Sequence, residues 1–250
     1  MHRPPFIVFP VFKYYSDLVC AFSIRDGGVS NAPFKSLNLG LHTGDDPENV
    51  YENRKIFFAA LNVDPEQVAY ADQVHSTHAE IVKTASLHKR TDALIYTGRD
   101  LYLTIQTADC FPVFIFIPRS ETVAVIHAGW RGVVAGIIEN TLTKLKVHCN
   151  VKPVDFIVAI GPGMQVECFE VKKDVYGRIP DHFLTPHSSP EHKYLNLRAL
   201  ILEKLLLQGI INKHIYSSDL CTKCESQLFY SYRRDGQNSG RMMGIIGIRK

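Results

Sequence analysis

No stretch of this 250-residue chain approaches the ~20 consecutive apolar residues that a membrane-spanning helix needs. The longest apolar run, 111–117, is interrupted by Pro112 and stopped by Pro118, so the expectation is a protein not integral to a membrane. An excess of charge of one sign is also missing. The 28 Lys+Arg against 25 Asp+Glu leave +3, with no long like-charge block, which argues against intrinsic disorder and against a general nucleic-acid binder. Met1-His2-Arg3-Pro4-Pro5 lacks the apolar segment and small-residue cleavage site of a signal peptide, and the expected compartment is the cytoplasm. Without a secretion signal, the six cysteines read as thiols rather than as a disulfide framework. Repeats, low-complexity tracts and long linkers are absent, and with 46% hydrophobic residues the chain reads as one globular domain over residues 1–250.

What is present is a mixed pattern of elements. A helix is predicted over 47–61, with Asp46 as its cap, Pro47 in first position, and Val50, Phe57, Phe58 and Leu61 on a stripe that also carries Arg54. Apolar, β-branched runs at 93–96, 101–107, 113–117, 122–128 and 156–160 predict the strands of a central sheet. Between the last two, Val134, Ile137, Ile138, Thr141, Leu142 and Leu145 mark a helix over 132–146, which completes a strand, helix, strand unit. A second helix runs from Asn196 as cap to about residue 208 and ends at Gly209. Segment 179–193, with three prolines, two serines and three histidines, reads as a surface loop or lid. The fold class is α/β or layered α+β, with a mixed sheet flanked by helices.

The chemistry concentrates at strand ends. Thr122-Val-Ala-Val-Ile-His127-Ala-Gly129-Trp130-Arg131-Gly132 is a buried strand ending on a histidine and turning through glycines into a helix, the place where α/β sheets hold ligands. His127 is either reactive or a satisfied core histidine capping the strand. Arg131 opposes the helix dipole and so serves something other than the helix. Thr107-Ala-Asp109-Cys110 repeats the plan. The adjacent Asp109 disfavours a thiolate at Cys110, so a working thiolate there requires a metal ion or a protonated histidine. In Tyr70-Ala-Asp72-Gln73-Val74-His75, an extended backbone would put Gln73 and His75 on one face. His75, Cys110 and His127 together make a plausible three-ligand zinc set with an open fourth position. Arg54 on a packed face needs either a carboxylate partner or an anionic ligand. Arg233 and Arg234 follow Tyr230-Ser-Tyr232 on what reads as a strand-to-turn edge. Cys221-Thr-Lys-Cys224 has zinc-knuckle spacing without a second pair. No H-x-H pair of the multicopper kind occurs, and Gly161-Pro-Gly163 lacks the third glycine of a dinucleotide loop.

Ser36-Leu-Asn-Leu-Gly40, Gln73-Val-His75, Thr107-Ala-Asp-Cys110, His127-Ala-Gly-Trp-Arg-Gly132, Ile160-Gly-Pro162 and Tyr230-Ser-Tyr-Arg-Arg-Asp-Gly236, taken in order, resemble the YfiH family. That family is also labelled laccase-domain or multicopper polyphenol oxidoreductase and, more recently, purine nucleoside phosphorylase. The resemblance implies a single α/β domain of the kind shared with cysteine–histidine toxin deamidases, with zinc at His75, Cys110 and His127. It further implies phosphorolysis of adenosine, inosine and methylthioadenosine, deamination of adenosine and, among bacterial relatives, editing of peptidoglycan precursors. Copper is disfavoured by the histidine pattern.

On that basis, phosphate would be held by Arg54, Arg131, Arg233 and the helix start after Gly129, and ribose or base by Asn38 and Gln73. Deamination would use metal-activated water. Two alternatives are a metal-independent hydrolase with Cys110 as nucleophile and His127 or His75 as base, and a non-catalytic module that binds nucleosides or cell-wall precursors.

Overall fold

The computed structural model describes residues 5–250; the sequence reading of Met1 to Pro4 lies outside the described residues. Two six-stranded mixed sheets stack face to face. The first has the order Phe6–Val8, Leu18–Ser23, Met242–Ile248, Tyr102–Thr107, Val68–Ala71, Leu87–His88. The second has the order Ile215–Ser217, Ile157–Ile160, Phe111–Ile117, Thr122–Ala128, Ala93–Thr97, Ala79–Ile81. The α/β class holds, but the predicted runs do not form one central sheet: Tyr102–Thr107 belongs to the first sheet and the other four to the second.

Side-chain alternation explains the layering. Every residue of Phe111–Ile117 and of Thr122–Ala128 is buried, as in strands covered on both faces. Phe114, Phe116, Val123 and Val125 face the first sheet and pack with Phe22, Leu103, Ile105 and Ile246. Their neighbours Val113, Ile115, Ala124 and Ile126 face the other way, onto Ile138, Leu142, Leu145, Leu200 and Ile201 of two helices. On the outer face of the first sheet, Phe57 and Phe58 of helix Pro47–Ala60 meet Val19, Ala21, Met243 and Ile245. The layers therefore run helix, sheet, sheet, helices.

Asp46 caps the first helix by accepting the Glu48 N–H, and Asn196 caps helix Leu197–Leu207 by accepting the Ala199 N–H. The helix expected over 132–146 is two helices, Trp130–Ala135 and Ile137–Cys149, broken at Gly136. Gly136 has φ +103, a left-handed conformation that ends one helix and starts another without a Cβ clash. The first piece begins early enough to make Trp130 and Arg131 helical. The second carries the crossover between Thr122–Ala128 and Ile157–Ile160, which flank Phe111–Ile117 and pair with it antiparallel.

Two further expectations are corrected. Segment 179–193 is not a loose loop: His192–Leu195 pairs with Leu184–Pro186 on one side and with Glu170–Lys172 on the other, in a small antiparallel sheet. Strands of three and four residues rich in proline and histidine are too short to show alternation in sequence. Arg233 lies not on a strand edge but in the four-residue helix Tyr232–Asp235, where the Ser231 hydroxyl accepts the Arg234 N–H.

Phe114 is fully buried, stacks 5.0 Å from Phe9, and points at Gly244 of the facing sheet, where a Cβ would lie 2.7 Å from its ring. Removing this wedge in Phe114→Ala should cost about 3–5 kcal/mol, read by denaturant unfolding. A loss below about 1 kcal/mol would show that the two sheets do not share this core.

Candidate active site

Asp92 stands immediately before strand Ala93–Thr97, which pairs with the strand carrying His127. Its backbone carbonyl accepts the His127 N–H at 2.8 Å, and its carboxylate accepts from His127 Nδ1, also at 2.8 Å. The same carboxylate accepts the N–H groups of Val74 (3.2 Å), His75 (3.0 Å) and Ser76 (2.6 Å) and the Ser76 hydroxyl (2.8 Å). Those residues form the connection from Val68–Ala71 in the first sheet to Ala79–Ile81 in the second. Cys110 lies on another such connection, between Tyr102–Thr107 and Phe111–Ile117. Two chain crossings and one strand end thus meet where the sheets adjoin.

The trio expected from sequence does converge. Cys110 Sγ is 3.9 Å from His75 Nε2, the two imidazoles are 4.7 Å apart at 73°, and the three donor atoms all lie within 4.8 Å of one another. With Nδ1 of His127 committed to Asp92, its Nε2 is the nitrogen free for the site. Gly129 makes this possible, because a Cβ there would sit 2.9 Å from both Cys110 Sγ and the His75 ring. His75 reaches the site by a route that the sequence did not indicate. Its φ of +59 breaks the extended run expected through Gln73, so the two side chains do not share a strand face.

Burial opposes charge on all three interacting groups, and their mutual contacts outweigh it. Hydrogen bonds from His127 and Ser76 bring the Asp92 carboxyl down to about 2. Despite burial, His127 and His75 bring the Cys110 thiol down to about 6. Against the same penalty, Cys110 and Asp92 push His127 up to about 9. In the metal-free protein the Cys110–His127 pair is thereby shifted toward thiolate and imidazolium. Asp109, expected to oppose that thiolate, instead has its carboxylate engaged by the Thr222 hydroxyl (2.6 Å) and the Arg233 N–H (2.9 Å). Two imidazole nitrogens and a thiolate, with His127 oriented by a buried carboxylate, fit a zinc ion that keeps one open position.

The trio opens into a cavity of about 810 Å³ that also collects Arg54, Arg131, Arg233 and Arg241. Each guanidinium lies over an aromatic ring that lines the same cavity: Arg54 over Tyr70 (4.9 Å), Arg131 over Trp130 (4.5 Å), Arg233 over Phe169 (5.5 Å) and Arg241 over Tyr232 (5.5 Å). Ion pairs among the described arginines are made by Arg99 and Arg234, not by these four. Arg54, for which a carboxylate partner was one expectation, donates to the Leu39 carbonyl instead. Burial lowers the pKa of Arg54 and Arg241, and such partly desolvated cations gain from an anion.

Two expected binding residues have other work. Asn38 is fully buried and does not line the cavity; its amide bonds Thr43, Asp45, Gly40 and the Arg241 N–H. Gln73 does line the cavity, but its amide is paired with the N–H and C=O of Gln106 at 2.7 Å each. Sequence reading missed Asp92, Tyr70 and Arg241. The one signal for Asp92 is its position directly before a strand, which gains meaning only from the pairing with His127.

Residues 19–249 match the family model described as "Multi-copper polyphenol oxidoreductase laccase". The chain is 32% identical over 252 residues to "Purine nucleoside phosphorylase YlmD" of Geobacillus stearothermophilus, covering 94% of this chain and 92% of the relative. It is 34% identical over 252 residues to "Purine nucleoside phosphorylase YfiH" of Escherichia coli (strain K12), covering 97% and 98%. The crystal structure of the Bacillus licheniformis hypothetical protein YfiH superposes with a TM-score of 0.93 at 31% identity, covering 99% of this chain and 97% of that one. A match across almost the whole chain, at this identity and with the same fold, means that the chain belongs to the YfiH family.

Proposed function

We propose that this protein is a purine nucleoside phosphorylase whose reacting centre is His75, Cys110 and His127. The observation that carries the reading is the convergence of that trio with four arginines lacking ion-pair partners, each backed by an aromatic ring, in one cavity. The names of the relatives agree with it. In phosphorolysis a phosphate oxygen forms a bond to the ribose anomeric carbon, the bond from that carbon to the purine nitrogen breaks, and the purine takes up a proton. Arg54, Arg131 and Arg233, joined by Arg241, hold the phosphate and offset its charge. Gln73 braces the wall beside Tyr70 through Gln106, and Asn38 acts at a distance by holding the Arg241 backbone.

Zinc is the ion we assign to His75, Cys110 and His127; bound there, it would supply Lewis acidity toward an oxygen at its open position. Adenosine deamination is assigned to the same cavity, with water in place of phosphate as nucleophile: its oxygen would bond to C6 of the purine, the bond from C6 to the exocyclic nitrogen would break, and that nitrogen would take up a proton and leave as ammonia. Free thiols and a substrate pool of nucleosides and phosphate favour the cytoplasm. No described helix is long and apolar enough to cross a membrane. The lowered Cys110 thiol beside a raised His127 also favours a second reading, a metal-independent cysteine hydrolase.

Adenosine with phosphate should give adenine and ribose 1-phosphate in equal amounts by chromatography, with adenine formation lost when phosphate is omitted. Chelation and Cys110→Ala should each remove this activity together with bound zinc. Metal-free protein with full activity would remove zinc from the reaction, and phosphate-independent amide hydrolysis inactivated by alkylation of Cys110 would instead establish the hydrolase.

Arg131 is exposed and held only by stacking on Trp130, so its replacement spares the fold. Arg131→Ala should raise the KM for phosphate about tenfold or more through loss of a charged contact, with an unchanged melting temperature. An unchanged phosphate KM would remove Arg131 from the phosphate site.

In the metal-free protein, the fall of Asp92 from the usual 3.8 to about 2 is worth about 2 kcal/mol. Because the folded value is the lower one, this stabilisation is present above about pH 4 and lost as the pH falls through about 2. Asp92→Asn should therefore be less stable than the parent at pH 7, with the gap closing toward pH 2, and should bind zinc about 10–100-fold more weakly. Equal zinc affinity in the two proteins would deny Asp92 its orienting role.

A further inference from the structure

The sequence offered Cys221-Thr-Lys-Cys224 as half a zinc site. The fold adds a third thiol to it. Cys168, more than fifty positions upstream, ends with its sulfur 3.2 Å from that of Cys224, and the sulfurs of Cys168, Cys221 and Cys224 all lie within 4.8 Å of one another. We propose that these three cysteines form a second metal site, distinct from the His75, Cys110 and His127 group, which takes one divalent cation of the zinc class through three thiolates.

The spacing suits such an ion, since thiolates at about 2.3 Å from a tetrahedral zinc stand about 3.8 Å apart. Hydrogen bonding at Cys221 is a second, independent observation. Its sulfur accepts the Gln165 N–H at 3.5 Å. A backbone donor on a buried sulfur favours a thiolate over a neutral thiol. The turn is held in this shape by Arg234, whose guanidinium donates to the Thr222 and Lys223 carbonyls at 3.2 and 2.9 Å. On binding a cation, each ligating thiol releases its proton. Cys224 is exposed, so the cluster can be reached from solvent.

Glu170, His187 and His192 also converge, but His187 Nδ1 accepts the Ser189 N–H at 2.9 Å, leaving its Nε2 protonated toward Glu170. That group is an acid–imidazole cluster on the small three-stranded sheet. The thiol cluster, by contrast, joins two parts of the cavity wall. Cys168 precedes Phe169, over which Arg233 stacks, and Cys221 precedes Thr222, which holds Asp109 beside Cys110. A metal there would act as a clasp.

The test uses the full chain, reduced and metal-depleted, titrated with Co²⁺ in the Cys110→Ala background, where the first site has no thiolate. Thiolate-to-cobalt charge-transfer absorption should appear and saturate at one equivalent, and should vanish in Cys110→Ala/Cys221→Ser/Cys224→Ser. Absence of that absorption in folded Cys110→Ala overturns the proposal. Should the variants not fold, the unmutated protein decides the matter. Zinc should slow iodoacetamide alkylation of Cys168, Cys221 and Cys224 about tenfold, mapped by peptide mass spectrometry, and equal rates with and without zinc overturn the site.

Discussion

The hydrogen bond from His127 Nδ1 to Asp92 is the contact on which the site depends. A carboxylate with no exposed surface would be costly alone, and here it is matched by imidazole, hydroxyl and backbone donors. Its consequences reach both sheets. By taking Nδ1 it fixes which nitrogen His127 offers, and by taking the N–H groups of residues 74–76 it holds His75 in a left-handed conformation unfavourable for a side chain of that size. The chain connection that crosses from one sheet to the other is thereby anchored on the strand pair that supplies the second histidine. Metal ligation, if it is to be tight, needs this kind of prior positioning, because the entropy of ordering three side chains is then spent in folding and not in binding.

The rest of the cavity follows a related logic. Four guanidinium groups in one cavity repel one another, and without carboxylate partners something else must offset their loss of water. Aromatic faces under each of them, and carbonyl acceptors for Arg54, Arg233 and Arg241, supply part of that. They do so without neutralising the charge, which stays available to an incoming anion. A carboxylate on any of these arginines would have stabilised the empty protein at the expense of affinity for an anion.

Much of the architecture was legible because burial writes itself into composition. The capped helix starting at Pro47, the apolar strands expected over 113–117 and 122–128 and the helix after Asn196 stand where pattern put them, the first of the strands beginning two residues earlier, at Phe111. The trio was legible for the same reason: His127 and Cys110 sit at the ends of runs that must be buried. Relations between distant segments were not legible. A strand covered by a second sheet looks the same as one covered by helices, so one sheet was expected where two are stacked. Gly136 reads as a tolerated helix glycine until its positive φ is seen, and Asn38 reads as a free amide until the Asp45 and Arg241 contacts close on it. Asp92 carries no local mark at all, since its role is created by strand pairing.

Asp109 shows how such non-local relations unify the wall. Next to the Cys110 thiol, an acid is a liability, because its field raises the energy of a thiolate. Binding it to Thr222 and to the Arg233 N–H draws its charge toward the far side of the wall and makes it a joint. Through that joint the segment carrying Cys110, the turn at Cys221 and the helix bearing Arg233 are one mechanical unit, and Arg234 adds a second tie from the same helix to the same turn. The Cys110 sulfur and the Arg233 backbone are therefore tied through one hydrogen-bonded path. For the proposed phosphorolysis, which needs nucleophile and sugar aligned within fractions of an ångström, that coupling would matter more than any single contact in the cavity.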